Sequence, residues 1–274
     1  MAVTQPIYLS LNDQPDQIVR SMDALALKRS QLKTVQSRYW KIVWALFLGS
    51  LPFVCIDLFF SFLGYPMLVF SLVTAVAWLI GIVLAVSLNR LNMVAYPDYF
   101  GLARELIHTL RDDGAPQRQF FGEVDLTGTR KESKVAREVQ DALGRTVQYF
   151  RDDWLNLKIK MYDGNMLRLM AIRREKVRKS FYKRGQISGK MKLKPEKFKG
   201  YLAELRVRLT VNPQVYTIAP YPGLQVGTKI GIYQVVELDT TQGIIQLTAL
   251  TNSNIAPESV LAVLKQTYTL LKRI

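Results

Sequence analysis

Residues 42–89 carry a single formal charge, Asp57, and no other feature limits the possible folds of this chain as strongly. Arg90 ends the run. About 18 apolar residues are enough to indicate a membrane span, and a hydrocarbon core about 30 Å thick takes roughly 20 helical residues. The run is too long for one span and suits two. The expectation is a two-span transmembrane helical hairpin, with helices near residues 40–63 and 66–88. Gly64-Tyr65-Pro66 would form the turn, because Gly relaxes the backbone and Pro suits the first turn of a helix. A cleaved signal peptide fits poorly. The run starts at residue 42, lacks a small-residue cleavage site and is far longer than an h-region.

The flanks set the orientation. Lys28, Arg29, Lys33, Arg38 and Lys41 precede the run, Arg90 follows it, and the expected turn has no Lys or Arg. The positive-inside rule then places both termini in the cytosol. Trp40, Trp44, Tyr65 and Tyr96 fall where interfacial aromatics belong. Gly49, Ala75, Ala77, Gly81 and Ala85 are small enough for close helix packing, and Pro52 is a candidate kink. A carboxylate at membrane depth often marks a pathway or a pairing partner. Asp57 lies roughly 24 Å along the first helix at 1.5 Å per residue, near the far interface where a carboxylate costs little, so it reads as an interfacial residue, with an intramembrane contact to the other helix or a partner, and then ion conduction, as the functional alternatives. The lone Cys55 permits neither an intramolecular disulfide nor a metal cluster of paired cysteines.

The remainder reads as α+β, a mostly antiparallel sheet domain with a few packed helices. Three regions are expected: a cytosolic, partly helical N-terminal segment (1–39), the hairpin (40–90) and a cytosolic domain (91–274). In the first, Ile18, Met22, Leu25, Leu32 and Val35 predict a short amphipathic helix within residues 16–38, after a poorly ordered start. In the third, Phe100, Ala103, Leu106, Ile107 and Leu110 predict a helix that Asp112-Asp113-Gly114-Ala115-Pro116 stops. Val124 and Leu126 indicate a strand. Thr129-Arg130-Lys131-Glu132 reads as a capping box before a helix with face Val135, Val139 and Leu143, ended by Gly144.

Strand signals dominate after that. Leu155, Leu157, Ile159 and Met161 alternate, Asp163-Gly164 turns, and Leu167, Leu169 and Ala171 return. Residues 201–211 alternate apolar positions with Glu204, Arg206, Arg208 and Thr210, which predicts a half-buried strand whose outer face, Glu204 included, is wet. Pro213, Pro220 and Pro222 interrupt the pattern. Residues 233–238 and 244–250 predict a hairpin across Thr240-Thr241-Gln242-Gly243. A last helix starts near Pro257, uses Val260, Leu261, Leu264, Tyr268 and Leu271, and ends on Lys272 and Arg273, which suit its dipole.

Charge carries the functional signal. The chain has a net +15, and residues 168–208 hold 15 Lys or Arg against Glu175, Glu196 and Glu204, a local balance of +12. Such density repels itself and favours a polyanionic partner. The candidate residues for that partner are Arg173, Arg174, Lys176, Arg178, Lys179, Lys183, Arg184, Lys190, Lys192 and Lys194. Three polyanions fit: the anionic cytosolic leaflet, an acidic protein, and nucleic acid. Phe181 and Tyr182, and further on Phe198 and Tyr201, interleave with the cations and could stack on bases.

Catalytic patterns are missing. His108 is the one histidine, and no His pair, Gly-x-Ser-x-Gly elbow or Walker loop occurs. Gly227-Thr228-Lys229-Ile230-Gly231 lacks the phosphate-loop spacing and reads as a turn. Asp112-Asp113 and Asp152-Asp153 read as acidic pairs on solvated turns. No enzyme activity, cofactor or metal is expected. The expected function is a membrane-anchored adaptor or assembly factor whose basic cytosolic surface meets an anionic partner. Its partners would be membrane lipids together with a larger membrane protein complex or an acidic protein. A small channel or transporter subunit of oligomerised hairpins, and a membrane-tethered RNA-binding protein, are the alternatives.

Overall fold

The computed structural model describes residues 8–63, 68–92, 99–115, 119–184, 189–219 and 223–274. It divides into a helical unit (1–4 and 21–95) and a sheet unit (5–20 and 96–274). The expected 1–39 segment is thus shared between two units.

The helical unit holds most of α1 (Pro15–Phe62) and all of α2 (Leu68–Asn92). The expected short amphipathic helix is not separate: the same helix runs on through Pro52 into the apolar stretch. Apolar residues at helical spacing on both sides of Arg38 and Lys41 leave nothing to stop it. One helix among the described residues, over Ser37–Ile56, is long and apolar enough to cross a membrane, and Leu72–Ser87 is a shorter apolar stretch. Trp44, Leu48, Phe59, Leu72, Leu79 and Ile82 are exposed, so large apolar side chains cover the outside of these helices. The expected turn at Gly64-Tyr65-Pro66, and Tyr96, lie outside the described residues, as does the side chain of Asp57.

The two helices pack on each other. Trp78 Nε1 donates to Ser50 Oγ at 2.7 Å, and the Trp78 ring meets Phe47 edge-on at 5.8 Å. A Cβ on Gly81 would stand 3.1 Å from the Phe47 ring, so a larger residue there would have to displace that ring. As α1 advances from Phe47 to Ser50 its contacts recede from Gly81 to Trp78, so the pair is antiparallel. Gly49 has nothing within 4 Å and lies away from the α1–α2 contact.

The sheet unit is built on antiparallel pairing throughout. Its strands are β1 (Tyr8–Ser10), β2 (Phe121–Asp125), β3 (Val135–Gln140), β4 (Thr146–Lys160), β5 (Met166–Arg178), β6 (Phe181–Arg184), β7 (Met191–Lys194), β8 (Lys197–Thr210), β9 (Tyr216–Ile218), β10 (Lys229–Ile230), β11 (Tyr233–Thr241), β12 (Ile244–Thr251) and β13 (Leu271–Arg273). The main sheet runs β1-β2-β4-β5-β8-β12-β11-β10, with β3 on the same edge of β4 as β2 but further toward its start. Strand β1 falls in the stretch expected to be poorly ordered; Tyr8–Ser10 instead pairs with Glu123–Asp125 and closes the edge.

Register stacks the core in rows. Leu157, Leu169, Val207 and Leu247 lie side by side across four strands, as do Ile159, Leu167, Leu209 and Ile245. All eight are buried, and each contributes about 1.5–3 kcal/mol on leaving water. Helices α3 (Tyr99–Asp113) and α4 (Pro257–Tyr268) complete this core; α4 meets β8, β10 and α3. The α3 positions read from the sequence, Phe100, Ala103, Leu106, Ile107 and Leu110, are all buried.

Two turns show why the hairpins form where they do. Gly164 has φ +86, and a Cβ there would meet the Asn212 amide at 2.6 Å. Gln242 and Gly243 both have positive φ, +53 and +74, as a two-residue turn matched to strand twist requires.

Further expectations fail in the sheet unit. Residues 135–143 form β3 and a turn, not a helix, preceded by a single 3-10 turn at Glu132–Lys134. Val135 and Val139 are four apart, which puts them on one face in either a helix or a strand. The Thr129 hydroxyl makes no cap and donates to Asp152 at 2.8 Å. The last helix ends at Tyr268, and Leu271–Arg273 pairs with β9, so Lys272 and Arg273 serve a strand and not a helix dipole. Asp152-Asp153 sits inside β4 at a bulge, and Asp152 is buried.

Candidate anionic-partner surface

The basic segment folds into one long ribbon. Strands β5 and β8 pair from Met166↔Thr210 to Arg178↔Lys197, and β6 and β7 continue in the same register from Phe181↔Lys194 to Arg184↔Met191. Pro195, with no N–H to give, stands opposite Ser180 and interrupts the ladder. The ribbon therefore has a root inside the main sheet and an arm, β6–β7, that forms a separate two-stranded sheet.

At the root, buried carboxylates gather the cations. Glu175 accepts from Arg130 Nε and Arg173 Nε, each at 2.7 Å. Glu204 pairs with Arg174 and with Arg206. Both glutamates are buried, so Glu204 does not belong to a wet outer face. Cationic neighbours make that burial tolerable, because a carboxylate loses hydration only where charge-assisted bonds replace it. Arg173 also lies over the Tyr201 ring at 4.7 Å, and Lys176 over Tyr149 at 5.3 Å. Nearby, Lys134 Nζ bridges Asp125 and Asp152 at 2.7 and 2.5 Å across the β4 bulge. Arg151 is held above its usual range, first by its hydrogen bond to Asp153.

An open groove of about 1010 Å³ runs along this part of the sheet, lined by Arg137, Tyr149, Arg151, Arg174, Lys176 and Lys199 among others. Arg137 and Lys199 have no carboxylate partner among the described residues.

Along the arm the pattern changes. Lys179, at its base, pairs with Glu138 at 3.1 Å, and that hydrogen bond, ahead of one from Gln148, holds the Glu138 carboxyl below its ordinary range. Lys183, Lys190, Lys192 and Lys194 are exposed and have no carboxylate partner among the described residues. Arg184 Nε donates to the Gly189 carbonyl at 3.2 Å. Residues opposite each other share a face, so Phe181, Lys183, Lys192 and Lys194 lie on one side of the arm, and Tyr182, Arg184, Met191 and Leu193 on the other. One side is cationic. The other exposes Tyr182, Met191 and Leu193.

The ten expected cations are thus brought onto one ribbon but into unlike settings. Arg173, Arg174 and Lys179 are ion-paired, Arg178 and Lys176 lie on aromatic rings, and the arm lysines face water. The Phe181 ring is engaged by the guanidinia of Arg145 and Arg178, at 5.6 and 4.7 Å from its centroid. Tyr182 remains exposed. Phe198 and Tyr201 are likewise engaged, by Arg130 at 5.1 Å and by Arg173. His108 is exposed on α3. Among the described residues no cluster of His, Cys, Asp or Glu has the makings of a metal site. Reading the sequence missed Arg137 and Arg145, which lie outside the basic segment and join it only through β3 and β4 pairing.

Comparison with protein-family models, with curated proteins and with solved structures gives no match.

Proposed function

We propose that this chain is a membrane-anchored adaptor or assembly factor that presents a basic cytosolic surface to an anionic partner. The observation that carries the reading is the arm: four exposed lysines on β6–β7 and its connection, with no carboxylate partner among the described residues, on a ribbon whose root holds Arg173, Arg174 and Arg206 on buried glutamates. A protein that needed those lysines only for folding would pair them in the same way. The apolar exteriors of α1 and α2 support the anchor, since large exposed apolar surfaces suit lipid better than water. In this reading both helices cross the membrane and both termini are cytosolic, as the Lys and Arg flanks require.

Binding tests it. The full chain is used in detergent, because a fragment starting at residue 91 would lack β1. Partners retained from a native membrane extract should be released as salt rises, since exposed charges are screened beyond about 8 Å at physiological ionic strength. Exchanging Lys183, Lys190, Lys192 and Lys194 for Gln should abolish retention. Retention that ignores both salt and these exchanges would sink the reading. Preference for single-stranded RNA that depends on Tyr182 would move the function to a tethered RNA-binding protein. Topology is read separately by cysteine labelling in a Cys55→Ser background: Arg20→Cys and Leu143→Cys should be cytosolic, and Tyr65→Cys external.

A further inference from the structure

Three cations stand in one row on the sheet face opposite the leucine core. Lys158 is directly across from Arg168, and Arg168 directly across from Arg208. All three are exposed. Like charges placed directly opposite on neighbouring strands destabilise a sheet. Elsewhere the fold answers such crowding with buried glutamates. Here it does not: none of the three has a carboxylate partner among the described residues, and Arg168 makes one long hydrogen bond, 3.4 Å to Asn156 Oδ1.

The row borders a basin of about 350 Å³ lined by Arg168, Arg206, Arg208, Glu237, Gln246 and Thr248, with Met170, Val207 and Leu247. Glu237, its one acid, accepts from the Thr248 hydroxyl at 3.1 Å. Arg206 is already balanced by Glu204. The charges left along the row and basin are Lys158, Arg168 and Arg208 against Glu237 and Asp239, the latter across β11–β12 from Gln246, a balance of +1.

We propose that this basin binds a phosphate-bearing ligand through a dianionic group, a phosphomonoester or a pyrophosphate. Opposite residues on paired strands have Cβ atoms about 5 Å apart, so the two guanidinium forks can hold oxygens of a single phosphate. The Gln246 amide faces Arg208 across β8–β12 and adds a neutral donor. A terminal phosphate has oxygens enough for both forks at once, whereas the two oxygens of a single carboxylate fill one fork. The site stands apart from the adaptor reading. Ten residues of strand, about 33 Å, separate Arg168 from Arg178, where the arm begins.

The test uses the full chain in detergent, titrated with inorganic pyrophosphate by calorimetry. Saturable binding is expected, weakened at least tenfold in R168Q/R208Q and unchanged in K183Q/K192Q/K194Q. The source of the phosphate is read by native mass spectrometry of lipid retained from nanodiscs that contain phosphatidic acid, a monoester, or phosphatidylserine, a diester. Retention of phosphatidic acid that R168Q/R208Q abolishes identifies a lipid headgroup; pyrophosphate binding without it identifies a soluble ligand; either supports the site. Melting supplies a second readout, because R168Q/R208Q relieves repulsion and should melt no lower than the wild type. No pyrophosphate binding, binding that survives R168Q/R208Q, or stronger binding of oligoglutamate than of pyrophosphate would overturn the proposal.

Discussion

The root and the arm of the basic ribbon differ in what answers their charge. The root, within residues 168–178 and 200–208, holds seven cations and two glutamates, both buried and both shared between arginines. The arm and its base, residues 179–199, hold eight cations and one glutamate, Glu196, which leans toward Arg130 at 3.6 Å. A net charge counted along the chain treats the two alike. In the fold, root cations are partly structural and arm cations are free to act outward. Charge that folding consumes and charge that folding leaves over must be separated before a basic segment is read as an interface.

The largest expected effect breaks the acid side of the contrast. Asp152→Ala removes a buried carboxylate from Lys134, whose side chain is 11% exposed and would keep only Asp125. Orphaning one partner of a buried pair costs about 3–5 kcal/mol, and the remaining Asp125 contact puts this case at the low end. Denaturant unfolding of the full chain in detergent should show it. A change below about 1 kcal/mol would mean that the sheet does not depend on this buried acid.

The arm should behave in the opposite way. K183Q/K192Q/K194Q should leave stability within about 0.5 kcal/mol, as exposed substitutions do. If the partner is an anionic membrane, each lysine is worth about 1 kcal/mol, so affinity for anionic vesicles should fall about 100-fold. Loss of folding in this variant would erase the distinction between root and arm.

Glu204→Gln lies between the two. Arg174 and Arg206 are each 45% exposed and can rehydrate, so the loss should be nearer about 1–2 kcal/mol than the full cost of a buried pair. The same change frees two guanidinia, so binding to anionic vesicles should tighten while the protein weakens. Weaker binding would show that the root's arginines do not add to the surface field.

The smallest effect lies where root meets arm. The Glu138 carboxyl is held below its ordinary range, so its contribution is complete above its unfolded pKa and is lost as pH falls through the lower folded value. Thermal melts of wild type and K179Q should therefore differ slightly near neutral pH and converge in acid. A difference that persists unchanged at about pH 3 would assign the effect of Lys179 to something other than this pair.

Local patterns were legible where a single period decided the structure. The alternation in residues 155–171 and 201–211, the Asp163-Gly164 and Gln242-Gly243 turns, and the α3 face all carry their own signal. Val135 and Val139 did not, because a four-residue spacing satisfies both periods. Tyr8–Ser10 is too short to show alternation and becomes a strand only because β2 offers an edge. Leu271 fits the face of α4 by spacing, yet β9 captures it as a strand.

By itself, the sequence determined that residues 42–62 and 68–89 form apolar helices, that most of the rest alternates as an antiparallel sheet, and that its positive charge collects in one segment. These follow from near neighbours: a run of uncharged residues, a period of two, a count of lysines. Tertiary structure alone decided which charges meet. Lys158, Arg168 and Arg208 are distant in the chain and come into one row through strand register, while Glu175 and Glu204 become buried clamps because their strands lie at the centre of the sheet. A one-residue slip in that register would send every one of these side chains to the other face, so no local pattern can encode the outcome.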